Sequence, residues 1–251
     1  ITTLLLGLSF GSFINSWVWR TRENLGITRA RSMCPHCRHV VAWYDNIPLL
    51  SFIILRGRCR TCDRTIIWQY PAVELWVGLS FVFAAVWHDV FAWPATTPEL
   101  VRDWLLLILL TFIFVYDLNF KEILNRATIL PALVLIPRTI IFQWHTLASL
   151  AIGSIVGGGF FYLLYTLSRG AWIGGGDVRL GLLMGVVLGW PGILLALFLA
   201  YVIGAFASGI LLLRKKVRLD SETPFGTYLS LATVITMFAG EYLLGRYIHL
   251  L

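Results

Sequence analysis

Long runs of apolar residues constrain the fold of this chain more than any other feature of its sequence. Residues 147–167 and 192–213 contain no charged side chain, and each run is long enough to cross the hydrocarbon core of a bilayer. Only 13% of the 251 residues are charged, about half the fraction typical of soluble domains, and the mean hydropathy is +0.79. The sequence therefore predicts an all-α, polytopic membrane protein in contact with membrane lipid.

Polar and proline-containing breaks divide the apolar sequence into about eight predicted transmembrane helices. Their approximate ranges are 1–19, 72–92, 103–118, 126–143, 147–167, a short helix from Gly176 to Trp190, 192–213 and 225–248. Arginines follow the first helix, so it is interpreted as a span and not as a cleaved signal peptide. The resulting division is a first helix at 1–19, a Cys-rich loop at 20–71 and a transmembrane core at 72–251.

The distribution of positive charge predicts the orientation in the membrane. The net charge is +7, and nine of the 20 Lys and Arg residues lie between Arg20 and Arg64. Loops rich in Lys and Arg stay in the cytoplasm, so this clustering indicates topology and not nucleic-acid binding. With the Cys-rich loop inside, the loops near Lys121, Arg169 and Arg214 also fall inside; Arg246 is an exception.

Two aspartates at the edges of predicted helices are candidate catalytic residues. Asp117 ends the third predicted helix and Asp177 begins the sixth, which places both at the cytoplasmic side. Ionisable groups at such positions are costly and mark function by default. Two carboxyl groups that share a site do not both ionise easily, so they can supply one acid and one base for peptide hydrolysis.

The residues before Asp177 are unusual, although a structural interpretation is also open. Gly174, Gly175 and Gly176 lack side chains, so a substrate strand could approach the carboxylate. Alternatively, Asp117 is an interfacial residue solvated by lipid headgroups, and Asp177 is a helix N-cap. Glu74, at the start of another helix, is interpreted as either a cap or a site residue.

The four cysteines form two Cys-x-x-Cys pairs in the predicted cytoplasmic loop. Cys34 and Cys37 are separated from Cys59 and Cys62 by 21 residues. Four thiolates in paired turns suit tetrahedral zinc, whereas disulfides rarely persist in the cytoplasm. A structural zinc ion is therefore favoured over disulfides, with His36 and His39 left in solvent.

Motifs distributed along the whole chain resemble one family of membrane proteases. The matching segments are 10–15, 31–37, 45–51, 55–62, 70–74, 174–180 and 224–226, together with the segment at Asp117. The sequence Gly174-Gly175-Gly176-Asp177 resembles the GxGD motif of membrane aspartyl proteases, including presenilin-like enzymes. The ordered set resembles more specifically the type IV prepilin peptidases of the bacterial inner membrane.

That resemblance implies a function and a set of roles. Asp117 and Asp177 would cleave the basic leader from a prepilin or a pilin-like secretion protein at the cytoplasmic face. Glu74 or Glu122 would hold the basic leader. Members with the cysteine loop also N-methylate the new amino terminus with S-adenosylmethionine; no glycine-rich nucleotide motif assigns residues to that step. The aromatic pair Trp43-Tyr44 is favoured as an interfacial anchor over an adenine platform.

The chain departs from the family pattern at three places, none of which removes a carboxylate. Ile123-Leu124-Asn125 replaces the usual Pro-Asn pair, Arg179 stands where Lys is usual, and Thr227 stands where Pro is usual. Two functions of other classes remain as alternatives. A transporter would also contain helices broken by Gly and Pro and intramembrane acids, and a membrane scaffold could recruit partners through a zinc-binding loop.

Overall fold

Helices make up nearly all the regular structure of the chain. The computed structural model describes residues 1–26, 31–91, 97–214 and 223–248. Its helices are α1 (Thr2–Arg22), α2 (Leu50–Ile54), α3 (Gln69–Phe91), α4 (Thr97–Phe120), α5 (Asn125–Ile141), α6 (Leu147–Leu167), α7 (Gly175–Leu213) and α8 (Phe225–Ile248). Trp43–Asn46 adds a short 3-10 helix. The described ranges hold no strand beyond two isolated β-bridges, which confirms the all-α prediction.

Four of the described helices are long and apolar enough to cross a membrane: α3, α6, α7 and α8. The chain is therefore a multi-pass membrane protein, but the predicted number of eight crossings is not confirmed. Helix α5 has 17 residues, fewer than the roughly 20 that a full crossing needs. The basic loop predicted near Arg214 lies outside the described residues from residue 215 to residue 222, as do residues 92–96 of the break between the predicted helices at 72–92 and 103–118.

Helix α7 is long enough for two crossings, and it is interrupted where the sequence predicts a break. Its 39 residues would extend about 58 Å if straight, roughly twice the hydrocarbon thickness. Gly189 and Trp190 leave the helical conformation. A Cβ at Gly157 would lie near both Gly181 and Ile193, which a straight helix would hold about 18 Å apart. The second half of α7 therefore folds back beside the first.

Side chains from outside α7 satisfy the polar backbone at this break. The Ser149 hydroxyl donates to the Trp190 carbonyl at 3.0 Å and accepts from the Trp190 N–H at 2.9 Å. The His145 Nε2 lies 3.0 Å from the Val187 carbonyl oxygen. Irregular backbone at membrane depth needs such partners, because lipid offers none.

The chain divides into two compact units, residues 1–112 and 113–251. In unit 1, α1 and α3 approach so closely that their backbones touch. A Cβ at Gly7 would lie 2.7 Å from the Val77 carbonyl oxygen, and a Cβ at Gly11 would lie 2.6 Å from the Glu74 Cα. Small residues four positions apart permit this close approach. The resulting van der Waals contact stabilises the helix pair, because no hydrophobic effect drives helices together within lipid.

In unit 2, two glycine pairs bring α6 and the first half of α7 together. Gly153 and Gly157 on α6 face Gly185 and Gly181 on α7, and a Cβ at Gly153 would lie 2.8 Å from the Gly185 carbonyl oxygen. Small residues at this spacing allow the two helices to approach closely. Gly159 has no neighbour within 4 Å of its Cβ position, so packing does not require glycine there.

The crossing of α6 and α7 gives a matched test of packing. We expect Gly185→Ala to lower the melting temperature in detergent, because its Cβ would lie 2.7 Å from the Ser154 Cα and closer to Gly153. Overpacking of this kind costs about 1–3 kcal/mol. The control Gly159→Ala should leave the melting temperature unchanged or raise it slightly, since alanine favours a helix. Equal effects of the two variants would contradict this account of the crossing.

Candidate functional site

Asp117 lies in the last turn of α4, and its carboxylate meets the amino terminus of α8. Its exposed fraction is 4%, and its Oδ2 accepts a hydrogen bond from the Thr227 N–H at 2.9 Å. Thr227 is the third residue of α8, so the carboxylate faces the positive end of the helix dipole. This burial excludes the interpretation of Asp117 as an aspartate solvated by headgroups.

Asp177 occupies the first turn of α7 but is not its N-cap. Helix α7 begins at Gly175 with Gly174 as the N-cap, so Asp177 is the third helical residue. Its N–H donates to the Gly174 carbonyl at 3.1 Å, and its carboxylate accepts from the Gly174 N–H. The pattern resembles a capping box, in which the third residue reaches back to the cap. The N-cap alternative is therefore corrected, although Asp177 still helps to start the helix.

The two carboxylates, 60 residues apart in sequence, lie close enough to repel each other electrostatically. Each is held at a helix amino terminus, where backbone N–H groups and the helix dipole offset part of the cost of a buried negative charge. A paired arrangement of this kind can hold one shared proton between two acids. The sequence prediction that the two aspartates meet is in agreement with this geometry.

Packing against Ile123 requires glycine at two positions near the aspartate pair. A Cβ at Gly176 would lie 2.9 Å from the Ile123 Cβ, and a Cβ at Gly226 would lie 2.7 Å from the Ile123 Cδ1 and 3.0 Å from the Asp117 Oδ2. By contrast, nothing lies within 3.8 Å of a Cβ at Gly174 or Gly175. Gly176 and Gly226 therefore serve internal packing, whereas a Cβ at Gly174 or Gly175 would clash with nothing, and Gly174 is exposed.

The roles of two residues at the site, Thr227 and Tyr201, are not predicted from the sequence. The segment Pro224-Phe225-Gly226 matches a family motif, but nothing in its sequence shows that the N–H of the next residue, Thr227, donates to the Asp117 carboxylate. Tyr201, on the second half of α7, interacts electrostatically with Asp177. A straight helix would separate the two residues by about 36 Å, so their approach depends on the break at Gly189.

The Cys-rich loop is built from two turns with the same hydrogen bonds, 25 residues apart. The Cys34 N–H donates to the His39 carbonyl and the Arg38 N–H to the Cys34 carbonyl, both at 2.9 Å. In the second turn the Cys59 N–H donates to Arg64 and the Asp63 N–H to Cys59, at 2.9 and 3.0 Å. Arg38 and Asp63 both adopt positive φ, 59° and 55°. An offset comparison of 31–41 with 56–66 would have shown this repeat in the sequence.

These two turns bring the four cysteine sulfurs together. All four Sγ atoms lie within 4.8 Å of one another, and those of Cys34 and Cys62 are 3.9 Å apart. Four thiolates around zinc, with Zn–S bonds of about 2.3 Å, would stand roughly 3.8 Å apart. Hydrogen bonds from the backbone N–H groups of Cys62 and Thr61 lower the pKa of the Cys59 thiol to about 7, whereas desolvation and hydrogen bonds with the other thiols raise the pKa of Cys62 to about 11. The cluster therefore fits a tetrahedral metal ion, and His36 and His39 are exposed.

An ion pair links the 3-10 helix to the second cysteine turn. The Arg60 Nε and Nη2 donate to the two carboxylate oxygens of Asp45 at 2.7 and 2.6 Å. This two-bond contact with Arg60 lowers the pKa of Asp45. Because Arg60 lies between Cys59 and Cys62, the contact holds the 3-10 helix against the cysteine cluster.

A cavity of about 230 Å³ lies within unit 1, and all of its lining residues belong to that unit. Its lining includes Ser12, Ser16, Trp19, Arg20, Cys34, Tyr44, Asp45, Cys59, Arg60, Tyr70 and Glu74. Glu74 is the sixth residue of α3 and therefore not a helix cap. It is 8% exposed and accepts from the Leu49 N–H at 2.8 Å and from the Ser12 hydroxyl.

Known proteins share this arrangement of motifs over nearly the full chain. Residues 5–88 match the family described as the bacterial peptidase A24 N-terminal domain, and residues 104–209 match the type IV leader peptidase family. A prepilin leader peptidase/N-methyltransferase of Stutzerimonas stutzeri is 30% identical over 279 residues, covering 99% of this chain and 93% of the relative. The chain belongs to the type IV leader peptidase family.

Other members of the type IV leader peptidase family are similar to it over comparable lengths. Relatives named prepilin leader peptidase/N-methyltransferase are 27% identical in Bacillus subtilis, with 98% of this chain and 96% of the relative covered, and 34% identical in Aeromonas hydrophila, with 87% and 74% covered. No solved structure matches the chain. The resemblance drawn from the sequence motifs is confirmed at the level of the family.

The four-cysteine cluster of this leader peptidase predicts how much zinc the purified protein contains. We expect about one zinc ion per purified chain by elemental mass spectrometry, because four convergent thiolates complete a tetrahedral shell. Cys59→Ser should reduce the zinc content to a small fraction of that value. The control His36→Ala should keep it, since His36 is exposed. Full zinc retention in Cys59→Ser would exclude the four-cysteine site.

Proposed function

We propose that this chain cleaves the leader peptide from type IV prepilins or pilin-like secretion proteins with the aspartate pair, and methylates the new amino terminus. The observation that carries the cleavage is the convergence of Asp117 and Asp177 beside the open backbone of Gly174 and Gly175. The relatives' names, which combine leader peptidase with N-methyltransferase, support the second activity.

The two carboxyl groups take different roles in peptide hydrolysis. The ionised role is assigned to Asp117, because the N–H groups of Gly226 and Thr227 both donate to it, whereas Asp177 accepts from the N–H of Gly174. Asp117 then removes a proton from the attacking water, while Asp177 holds the other proton and donates it to the leaving amine. Tyr201 lies near Asp177, where a phenol can orient that carboxyl group.

Substrate reaches the pair along the side where Gly174 and Gly175 carry no side chain. An extended substrate backbone can lie against glycine at a distance that any Cβ would prevent. A prepilin leader is basic, and Glu122 is an exposed acid beside Ile123, in the same compact unit as the pair. Glu122 is therefore the acid of unit 2 proposed to attract the leader. Glu74, the other expected acid, is buried in unit 1.

The remaining roles follow from the location of each element. The active site faces the cytoplasm of a bacterial inner membrane, because the positive charges cluster in the loop after α1. Cys34, Cys37, Cys59 and Cys62 would hold a zinc ion that joins the two cysteine turns and has no catalytic role, since four thiolates leave no open position. S-adenosylmethionine supplies a methyl group on a sulfonium centre for transfer to the new amino terminus.

The aspartate mechanism is tested by removing each charge without changing the side-chain shape. Asp117→Asn and Asp177→Asn should each reduce leader cleavage of a co-expressed prepilin by about 10²–10⁴-fold or more, because asparagine can neither accept nor donate the required proton. Cleavage is scored as a mobility shift on a gel, with the membrane level of each variant measured by immunoblot.

The matched control for both variants is Asp89→Asn. Asp89 is an exposed aspartate of α3 in unit 1, so its substitution should leave cleavage unchanged. Normal cleavage by either dyad variant would refute the aspartate pair. If both variants cleaved normally while the protein still bound zinc, the scaffold hypothesis would gain support.

Because Gly174 lies beside the aspartate pair and does not pack against other residues, a side chain added there should weaken substrate binding without unfolding the protein. Gly174→Ala should raise the KM for prepilin cleavage several-fold and leave the melting temperature nearly unchanged, because its Cβ meets no atom of the protein within 3.8 Å. Gly176→Ala should instead lower the melting temperature, by a clash with Ile123 that costs about 1–3 kcal/mol. The opposite pattern would show that the substrate approaches elsewhere.

A further inference from the structure

The cavity of unit 1 has no part in the proposed peptidase chemistry, yet its lining is assembled from three separate segments. Ser12, Ser16, Trp19 and Arg20 contribute one face of α1, with the spacing of successive helical turns. Tyr70 and Glu74 contribute the start of α3, and the Cys-rich loop closes the remaining sides. The fold therefore builds a concave site in unit 1, with a largely apolar wall and a few polar side chains.

Glu74 is a buried acid of this cavity that pairs with no described cation, although Arg20 and Arg64 also line the cavity. Its two described partners, the Leu49 N–H and the Ser12 hydroxyl, are both neutral, and none of the ion pairs among the described residues includes Glu74. A buried carboxylate without a cation is costly. A ligand that brings a positive charge into the cavity would remove that cost.

The mouth of the cavity has a different character from its buried end. Tyr44 lines the cavity with half of its surface exposed. Asp45 and Arg60, which pair with each other, lie on the same side and hold the tyrosine segment in place. The Tyr44 ring, with the Arg60 guanidinium 5.6 Å from its centroid, can stack with a purine, and nearby polar groups suit a ribose. Its position in the cavity lining therefore favours the adenine platform over the interfacial anchor expected from the sequence.

We propose that this cavity binds S-adenosylmethionine, with its sulfonium facing Glu74 and its adenosine at Tyr44. The inference rests on the N-methyltransferase activity proposed above and assigns residues to it. The cavity volume of about 230 Å³ is below the 300–1,000 Å³ usual for a ligand of this size. Only the methionine end therefore enters the buried part, and the adenosine lies in the mouth.

A carboxylate at the sulfonium also explains how donor and product are distinguished. S-adenosylmethionine carries a positive charge on sulfur, whereas S-adenosylhomocysteine, which remains after methyl transfer, carries none. An opposite charge a few ångströms away in a partly buried site favours the charged ligand strongly. Glu74 therefore retains the donor and lets the product leave.

The test measures binding of both compounds to the purified full-length protein in detergent by isothermal titration calorimetry. Glu74→Gln should weaken binding of S-adenosylmethionine by at least about tenfold and binding of S-adenosylhomocysteine by less than about threefold, since only the former loses an opposite charge. The control Glu241→Gln removes an exposed carboxylate from α8 in unit 2 and should change neither. Equal weakening of both compounds by Glu74→Gln, or none, would overturn the assignment.

A second variant keeps the proposal testable if Glu74→Gln does not fold. Ser16→Phe places a ring in the cavity from α1 without touching the charge, and should abolish binding of both compounds. Zinc content and melting temperature report whether each variant is folded. Unchanged binding in folded Ser16→Phe would show that the compounds bind elsewhere.

Measurements on the wild-type protein separate this inference from the proposed function. Leader cleavage and the mass of the mature amino terminus are recorded in the same preparation. If the wild-type protein methylates its product but neither Glu74→Gln nor Ser16→Phe changes the binding of S-adenosylmethionine, only the cavity assignment is overturned. Cleavage with neither methylation nor donor binding overturns the proposed N-methyltransferase activity and the cavity assignment with it, and leaves the peptidase proposal intact.

Discussion

Stabilising negative charge inside an apolar protein is the constraint on which the architecture of unit 2 depends. Asp117 is almost fully buried, and lipid-facing helices cannot supply water to it. The amino termini of α7 and α8 supply backbone N–H groups instead, and both ends must be brought to the same place. The glycine crossing of α6 and α7, the break at Gly189 and the small residues around Ile123 all contribute to that placement.

Unit 1 solves a different problem, because its Cys-rich loop leaves large apolar side chains such as Trp43, Ile53 and Trp68 mostly exposed and not packed in a core. Two short turns with four backbone hydrogen bonds cannot hold themselves together by hydrophobic packing. A metal ion shared between the turns would replace the missing core. The bonds between Asp45 and Arg60 then attach the 3-10 helix to the cluster, so order in the loop extends from the cysteines to the cavity.

The sequence predicts the positions of the helices well, because apolar runs and their breaks are local features. The break near Trp190 and the meeting of Asp117 with Asp177 also follow, the second from counting helix ends on each side of the membrane. The number of membrane crossings does not follow, since α5 is helical but has only 17 residues, fewer than the roughly 20 that a full crossing needs. The contact of Thr227 with Asp117 could not be predicted, because it joins residues 110 positions apart through an ordinary backbone N–H.

The division into two compact units has a consequence for how the two proposed activities can be separated. Every residue assigned to peptide cleavage comes from unit 2, and every residue assigned to zinc and to the methyl donor comes from unit 1. A lineage could therefore lose its cysteines and remain a working peptidase, whereas loss of either aspartate would leave no cut substrate to modify. An inhibitor shaped for the cavity would likewise leave pilins processed but unmodified, a phenotype distinct from that of a blocked protease.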